Sequence, residues 1–214
     1  MVDKAHIMNL LDIHFVIGSG EPWEQAIHIL DDGSVDVDGD VILKRPAGGR
    51  IPVSFNIVNG FFKAENMSLF TMENIPNSCT SLYLFNNRLT TLNGCPSYLV
   101  DLDVSMNQLT NFKGGPELVD NVEAYGNLFT SFEGLPEKNV EYSISITYKQ
   151  DLPLLRLLNA QRIHVGTPGA GYSRHRPFEP VNKILNTYAG QGHAGALACA
   201  AELADAGYKA NAQW

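Results

Sequence analysis

Residues Ser105–Pro116 read SMNQLTNFKGGP. Nearly the same phrase stands twenty residues earlier as FNNRLTTLNGCP (85–96) and twenty residues later as YGNLFTSFEGLP (125–136). Aligned in steps of twenty, Phe62, Leu82, Leu102 and Val122 share a column, and Ala64, Leu84, Val104 and Ala124 share the next. Met67, Asn87, Asn107 and Asn127 follow, then Leu69, Leu89, Leu109 and Phe129, then Met72, Leu92, Phe112 and Phe132. Asn74, Gly94, Gly114 and Gly134 form another column, and Pro76, Pro96, Pro116 and Pro136 close the unit. The unit is LxxLxLxxNxLxxLxGxPxx.

Each column has a physical reason. Leu102 and Val104 alternate around Asp103, which predicts a short strand with one face buried. Asn107 leaves the strand where the chain turns, and its amide can bond the backbone of adjacent turns in a ladder with Asn87 and Asn127. Leu109 and Phe112 fold back over the strand layer. Gly114 permits a tight return and Pro116 fixes φ. One unit cannot bury its apolar face alone, so the units are expected to stack into a curved solenoid of parallel strands with a continuous core. The pattern over residues 59–147 resembles a leucine-rich repeat of the short, roughly 20-residue bacterial kind. The resemblance implies an α/β-type solenoid. Met67 stands where asparagine is expected, which marks a modified end unit. Tyr142, Ile144 and Ile146 keep the alternation and predict a last strand before the chain leaves the repeat.

The chain then divides into a cap (1–58), the repeat array (59–148) and a C-terminal segment (149–214). In the cap, PWEQAIHIL (22–30) is helix-capable, and DDGSVDVDGDVIL (31–43) carries two Asp-Gly turn signals around Val35 and Val37, which predicts a hairpin. Ile51-Pro52 repeats Ile75-Pro76, as if the cap already carries a partial coil. Asp36, Asp38 and Asp40 have the 1-3-5 spacing of a calcium loop, but position six is Val41 and position twelve is Ala47, so no metal is expected. After Lys149, QDLPLLRLLNAQRIHV (150–165) is an apolar run of helical or strand-like character. Residues 166–180, rich in glycine and proline, predict a loop or linker. The remainder predicts a helical hairpin, with Pro180 in a first turn, a break at Gly190 and Gly192, an Ala-rich helix from His193, and Gly207 just past its end. Ala196 and Ala200 are small enough to let helices approach closely.

This combination resembles small proteins of tailed bacteriophages, which pair a DGSVDVDGDV hairpin with short Asn-Leu-Thr coils and in some cases end in a tail like AGYKANAQW. The resemblance implies a protein made inside an infected bacterium and acting on a host bacterial protein of defence, transcription or replication. It implies no catalytic residue.

Composition narrows the function. Residues 1–148 carry 8 Lys+Arg and 19 Asp+Glu, a net of −11, whereas 149–214 carry 7 and 4, a net of +3. The acidic part is a poor match for nucleic acid and a fair one for a basic protein surface. No apolar run approaches membrane-spanning length, and the first twenty residues lack the pattern of a signal peptide. Cys79, Cys95 and Cys199, odd in number and without CxxC spacing, suit a reducing cytoplasm rather than a disulfide framework or a zinc site.

The chain carries few residue patterns suited to chemistry. Gly166, Gly169 and Gly171 lack the Lys-Ser/Thr ending of a phosphate loop. Cys199 lies among alanines and reads as a buried thiol. Asp101 and Asp103 share a strand face, but acid–base catalysis requires a pocket rather than an open sheet. No cofactor is expected. Arg174, His175 and Arg176 form a basic knot suited to a flexible linker or to contact with an anion. What remains is the concave face. Its expected rows are Phe61, Ser81, Asp101, Asn121; then Lys63, Tyr83, Asp103, Glu123; then Glu65, Phe85, Ser105, Tyr125. Aromatics ringed by acids suit a protein-binding anchor patch, with Lys63, Tyr83, Phe85, Asp101, Asp103, Ser105, Glu123 and Tyr125 as contacts. The alternatives are an enzyme with its site around His164, Arg174, His175 and Arg176, or a minor virion or oligomeric structural protein that self-associates through the C-terminal helices.

Overall fold

The computed structural model describes residues 2–20, 22–137, 142–167 and 176–214. The chain begins with helix α1 (Lys4–His14) and runs directly into strand β1 (Phe15–Gly18). Next come β2 (Ile27–Ile29), β3 (Val35–Val37), β4 (Asp40–Leu43), β5 (Phe55–Val58) and β6 (Phe62–Lys63). The central coils contribute β7 (Ser81–Tyr83), β8 (Tyr98–Asp103) and β9 (Leu118–Ala124). The last part holds β10 (Ser143–Thr147), β11 (Arg162–Thr167), β12 (Arg176–Pro177), α2 (Glu179–Thr187) and α3 (His193–Asp205).

Nine strands form one sheet in the order β1-β4-β6-β7-β8-β9-β10-β11-β12. The strands from β4 to β11 pair in parallel, and β1 and β12 close the two ends antiparallel. The molecule is therefore a parallel-strand solenoid of six turns. The register Phe62↔Leu82↔Leu102↔Val122 reproduces the sequence columns residue for residue. A second, three-stranded sheet, β2-β3-β5, lies along one flank and is continued by the Ile57–Ser78 bridge.

The two remaining sides of each coil bury the other apolar columns. Leu69, Leu89 and Leu109 are fully buried, and so are Leu92, Phe112 and Phe132 to within 2%. Phe112 stacks on Phe129 with ring centroids 4.6 Å apart. Asn87, Asn107 and Asn127 are buried in the turn after the strand. Asn107 Nδ2 donates to Leu84 O and Val104 O, both at 3.0 Å, while its Oδ1 accepts from Leu89 N at 3.0 Å. Asn127 repeats the arrangement one coil on, with Val104 O, Ala124 O and Leu109 N. A second ladder runs along the flank: Asn56 donates to Asp36 and Asn77 donates to Asn56.

Two columns need the left-handed backbone that glycine tolerates best. One is Asn74, Gly94, Gly114, Gly134, with φ between +71° and +95°. The other is Asn66, Asn86, Met106, Gly126, with φ between +54° and +66°. Met106 is the misfit, because a long side chain in this region costs roughly 1–2 kcal/mol. Asn86 Nδ2 already donates to Asn66 Oδ1 across this column. Met106→Asn is expected to extend that ladder and raise stability by about 0.5–1 kcal/mol, read as a higher denaturant midpoint at unchanged slope.

The ends differ from the expectations. PWEQAIHIL is a single 3₁₀ turn at Trp23–Ala26 followed by β2, because Ile27 and Ile29 pair with Val37 and Val35. The helix of the N-terminal part is α1 instead, capped by Asp3, whose carboxylate accepts from His6 N. The predicted hairpin is half present. The Asp32-Gly33 turn joins β2 to β3, but Asp38-Gly39 turns the chain from the flank sheet into the long one, so β3 and β4 belong to different sheets. Asn74 Nδ2 donates to Ile51 O, so the stretch carrying Ile51-Pro52 does act as a partial coil. At the other end the repeat does not stop at Thr147. A 3₁₀ turn at Leu155–Asn159 returns the chain, and β11 adds a further parallel strand. The solenoid thus extends beyond residues 59–148 on both sides. Of the glycine-rich segment, Arg176 and Pro177 form β12.

The helical hairpin lies over this end. Val181, Ile184 and Leu185 of α2 and Ala196, Cys199 and Leu203 of α3 are buried, while Ala200 is half-buried and Leu197 is exposed. Asn182 and Asn186 of α2 clasp the free edge of β11. Asn182 Oδ1 accepts from Val165 N at 2.7 Å and its Nδ2 donates to Val165 O at 2.9 Å. Asn186 treats Ile163 N and O the same way, at 3.0 and 2.7 Å. Among the described residues, no helix is long and apolar enough to cross a membrane.

Candidate functional site

The open face of the long sheet carries the residues between the buried strand positions. One row runs Lys63, Tyr83, Asp103, Glu123, Ser145, His164, each directly across from the next. A second runs Ser81, Asp101, Asn121, Ser143, Arg162. Parallel pairing at one register places them together, so the face predicted from spacing exists and is two strands wider.

Its interior is networked. The Asp101 carboxylate accepts from Ser81 Oγ at 3.1 Å, Tyr83 Oη at 3.3 Å and Asn121 Nδ2 at 2.9 Å. Lys63 Nζ sits 2.9 Å from Glu65 and 6.0 Å from the centre of the Tyr83 ring. Phe61 meets Tyr83 edge to face at 5.9 Å, and Tyr125 meets His164 likewise at 6.0 Å. Lys63, Tyr83, Phe85, Asp101, Asp103 and Tyr125 are half-buried and Glu123 is exposed. Ser105 is different. It is buried, its N–H donates to Asp103 Oδ1, and its hydroxyl accepts from Tyr125 N, so it holds the coil rather than facing outward.

The electrostatics centre on two carboxylates. Asp103 and Glu123 lie directly opposite each other on β8 and β9. Burial pushes the Asp103 carboxyl above its ordinary range, against the pull of the Ser105 N–H. Partial desolvation at the sheet surface raises Glu123 as well, although its side chain is exposed, and the Asp103 charge adds to it. Like charges directly across a sheet destabilise it, so the arrangement contributes nothing favourable to folding.

The remaining candidates are placed elsewhere. Asp36, Asp38 and Asp40 are each used on the next coil, accepting from Asn56 and Ile57 N, from Asn59, and from Phe61 N. Among the described residues no group of three or more metal-ligating side chains converges. Burial pushes the Cys79 and Cys95 thiols up to about 12 and the Cys199 thiol up to about 11, opposite to what a nucleophile needs. Arg176 is exposed at the sheet end, and Arg174 and His175 lie outside the described residues. The expected rows ended at Asn121, Glu123 and Tyr125 and so missed Ser143, Ser145, Arg162 and His164 as members of the face. The signal was present in the alternation of Ile163 with Val165, which matches Ile144 with Ile146. No family model, no curated protein and no solved structure matches the chain.

Proposed function

We propose that the protein is a non-enzymatic binding module of leucine-rich-repeat type, made in a phage-infected bacterium, that grips a basic surface of a host protein with its acidic, aromatic face and so inhibits or redirects that protein. The observation that carries this reading is the Asp103–Glu123 pair. Two carboxylates held opposite one another, each with its proton affinity raised, are relieved by a cation from outside. Tyr83, Phe85 and Tyr125 around them supply the rigid aromatic area that anchors protein contacts. A lysine or arginine of the partner, seated between the two acids, fits this stretch of the surface, where the sheet lies open.

The test is capture from bacterial lysate. One dominant partner is expected on the intact protein. Tyr83→Ala combined with Asp103→Lys is expected to weaken it about 100-fold or more, since central anchor residues contribute roughly 2 kcal/mol or more each. Because Asp103 is half-buried, the exposed Glu123→Lys variant provides a version that leaves the fold untouched. Undiminished capture by both variants would reject this face.

A further inference from the structure

At the far end of the open face, β10 and β11 place four polar side chains at the corners of a rectangle. Ser143 lies directly across from Arg162, and Ser145 directly across from His164. Sheet geometry sets the sides at about 5 Å between strands and about 7 Å between alternate residues along one strand. The same four side chains, with Asn121 and Asn186, line a cavity of about 380 Å³.

Every corner can donate a hydrogen bond: a guanidinium, an imidazole and two hydroxyls. Among the described residues, no carboxylate lies within ion-pair distance of Arg162. Two of the lining side chains are fixed: Asn186 is held by both backbone groups of Ile163, and Asn121 is held by Asp101. The Ser145 hydroxyl lies 3.4 Å from the Glu123 carboxylate, a long bond, and also interacts with the Tyr125 side chain. A carboxylate offers only two oxygens, both in one plane, and pairs best with the Arg162 fork. A tetrahedral oxyanion offers an oxygen toward each corner.

We infer that this pocket binds the phosphate group of a phosphate monoester, with Arg162 as the charged, forked donor and Ser143, Ser145 and His164 completing the cradle. Glu123, reached through Ser145, borders the site on the β9 side. It favours a phosphate that carries a cationic group beside it over a bare dianion. The inference stands on β10 and β11 and not on the acidic pair, so either can fail without the other.

The experiment follows the Arg162 side-chain and His164 ring resonances by NMR at constant ionic strength. The probes are inorganic phosphate, a phosphoserine peptide with a neighbouring lysine, and the same peptide unphosphorylated. Saturable changes are expected with both phosphate probes and none with the unphosphorylated peptide. Arg162→Gln is expected to weaken binding at least about tenfold, as loss of a charged hydrogen bond does. Arg162 is exposed, so this variant keeps its fold. Glu123→Lys, which removes the charge required by the acidic face, is expected to strengthen binding of inorganic phosphate and to reduce the preference for the lysine-bearing phosphopeptide. Tighter binding of the phosphopeptide than of inorganic phosphate assigns the site to a phosphorylated protein. Equal binding shows that the pocket reads the phosphate group alone and removes the role given to Glu123. Absence of saturable changes with either phosphate probe, or changes indifferent to Arg162→Gln, overturns the proposal.

Discussion

Asn107→Leu is expected to lower the unfolding free energy by about 2–4 kcal/mol, a large share of the stability of a typical domain. Leucine matches asparagine closely in shape and is the more apolar residue, so a side-chain packing argument alone would predict little change. The loss comes from the backbone. Asn107 is 4% exposed, and its amide serves Leu84 O, Val104 O and Leu89 N, groups from its own coil and the preceding one. Removing it leaves the Leu89 N–H buried without its partner, at roughly 1–3 kcal/mol, and takes one of two side-chain donors from Leu84 O and Val104 O, which keep Asn87 and Asn127. Gln108→Leu, at the exposed neighbouring position, is the control and should fall within about 0.5 kcal/mol of the parent. Similar denaturation midpoints for the two variants would show that the ladder does not hold the coils together.

Gly134→Ala is expected to cost about 2–5 kcal/mol, against about 1–2 kcal/mol for Gly94→Ala. Both glycines have left-handed φ, +93° and +95°, so both alanines meet the same intrinsic penalty. Their surroundings separate them. A Cβ on Gly134 would lie 2.4 Å from the Phe112 carbonyl carbon and 2.5 Å from Lys113 N, whereas one on Gly94 meets nothing closer than 3.8 Å. The atoms in the way at Gly134 belong to the backbone of the preceding coil, which cannot rotate aside. Equal midpoints for the two variants would mean that the coils can slide apart to accept a methyl group.

Both predictions concern columns that were legible from the sequence, because a repeat states each requirement several times. Asn87, Asn107 and Asn127 agree on the ladder, and Gly94, Gly114 and Gly134 agree on the turn. The ends had no such redundancy. The step from Val122 to Ile144 is 22 residues and the next, to Ile163, is 19, so a ruler set at twenty loses the strand that follows. The Asn, Gly and Pro columns vanish there as well, and only the Ile163–Val165 alternation survives. In α1, only Leu11 is buried, so the helix has no sharp apolar stripe to announce it. The acidic rows of the open face followed directly from strand alternation. Arg162 was missed as a member of that face because it lies in a stretch placed outside the array.

The Asn182 and Asn186 clasp bears on how such a chain can change in size. Each amide offers a donor and an acceptor in the geometry of a peptide group, so α2 takes the place of a strand along the part of β11 that β12 does not pair, and the backbone groups of Ile163 and Val165 are occupied rather than open to a second molecule. New length therefore cannot be added at that terminus without discarding the helix that fits it. It can be added in the middle, where a duplicated twenty-residue block between 78 and 136 meets a copy of itself on either side. The span of the gripping surface is thus free to vary while both of its closures stay the same.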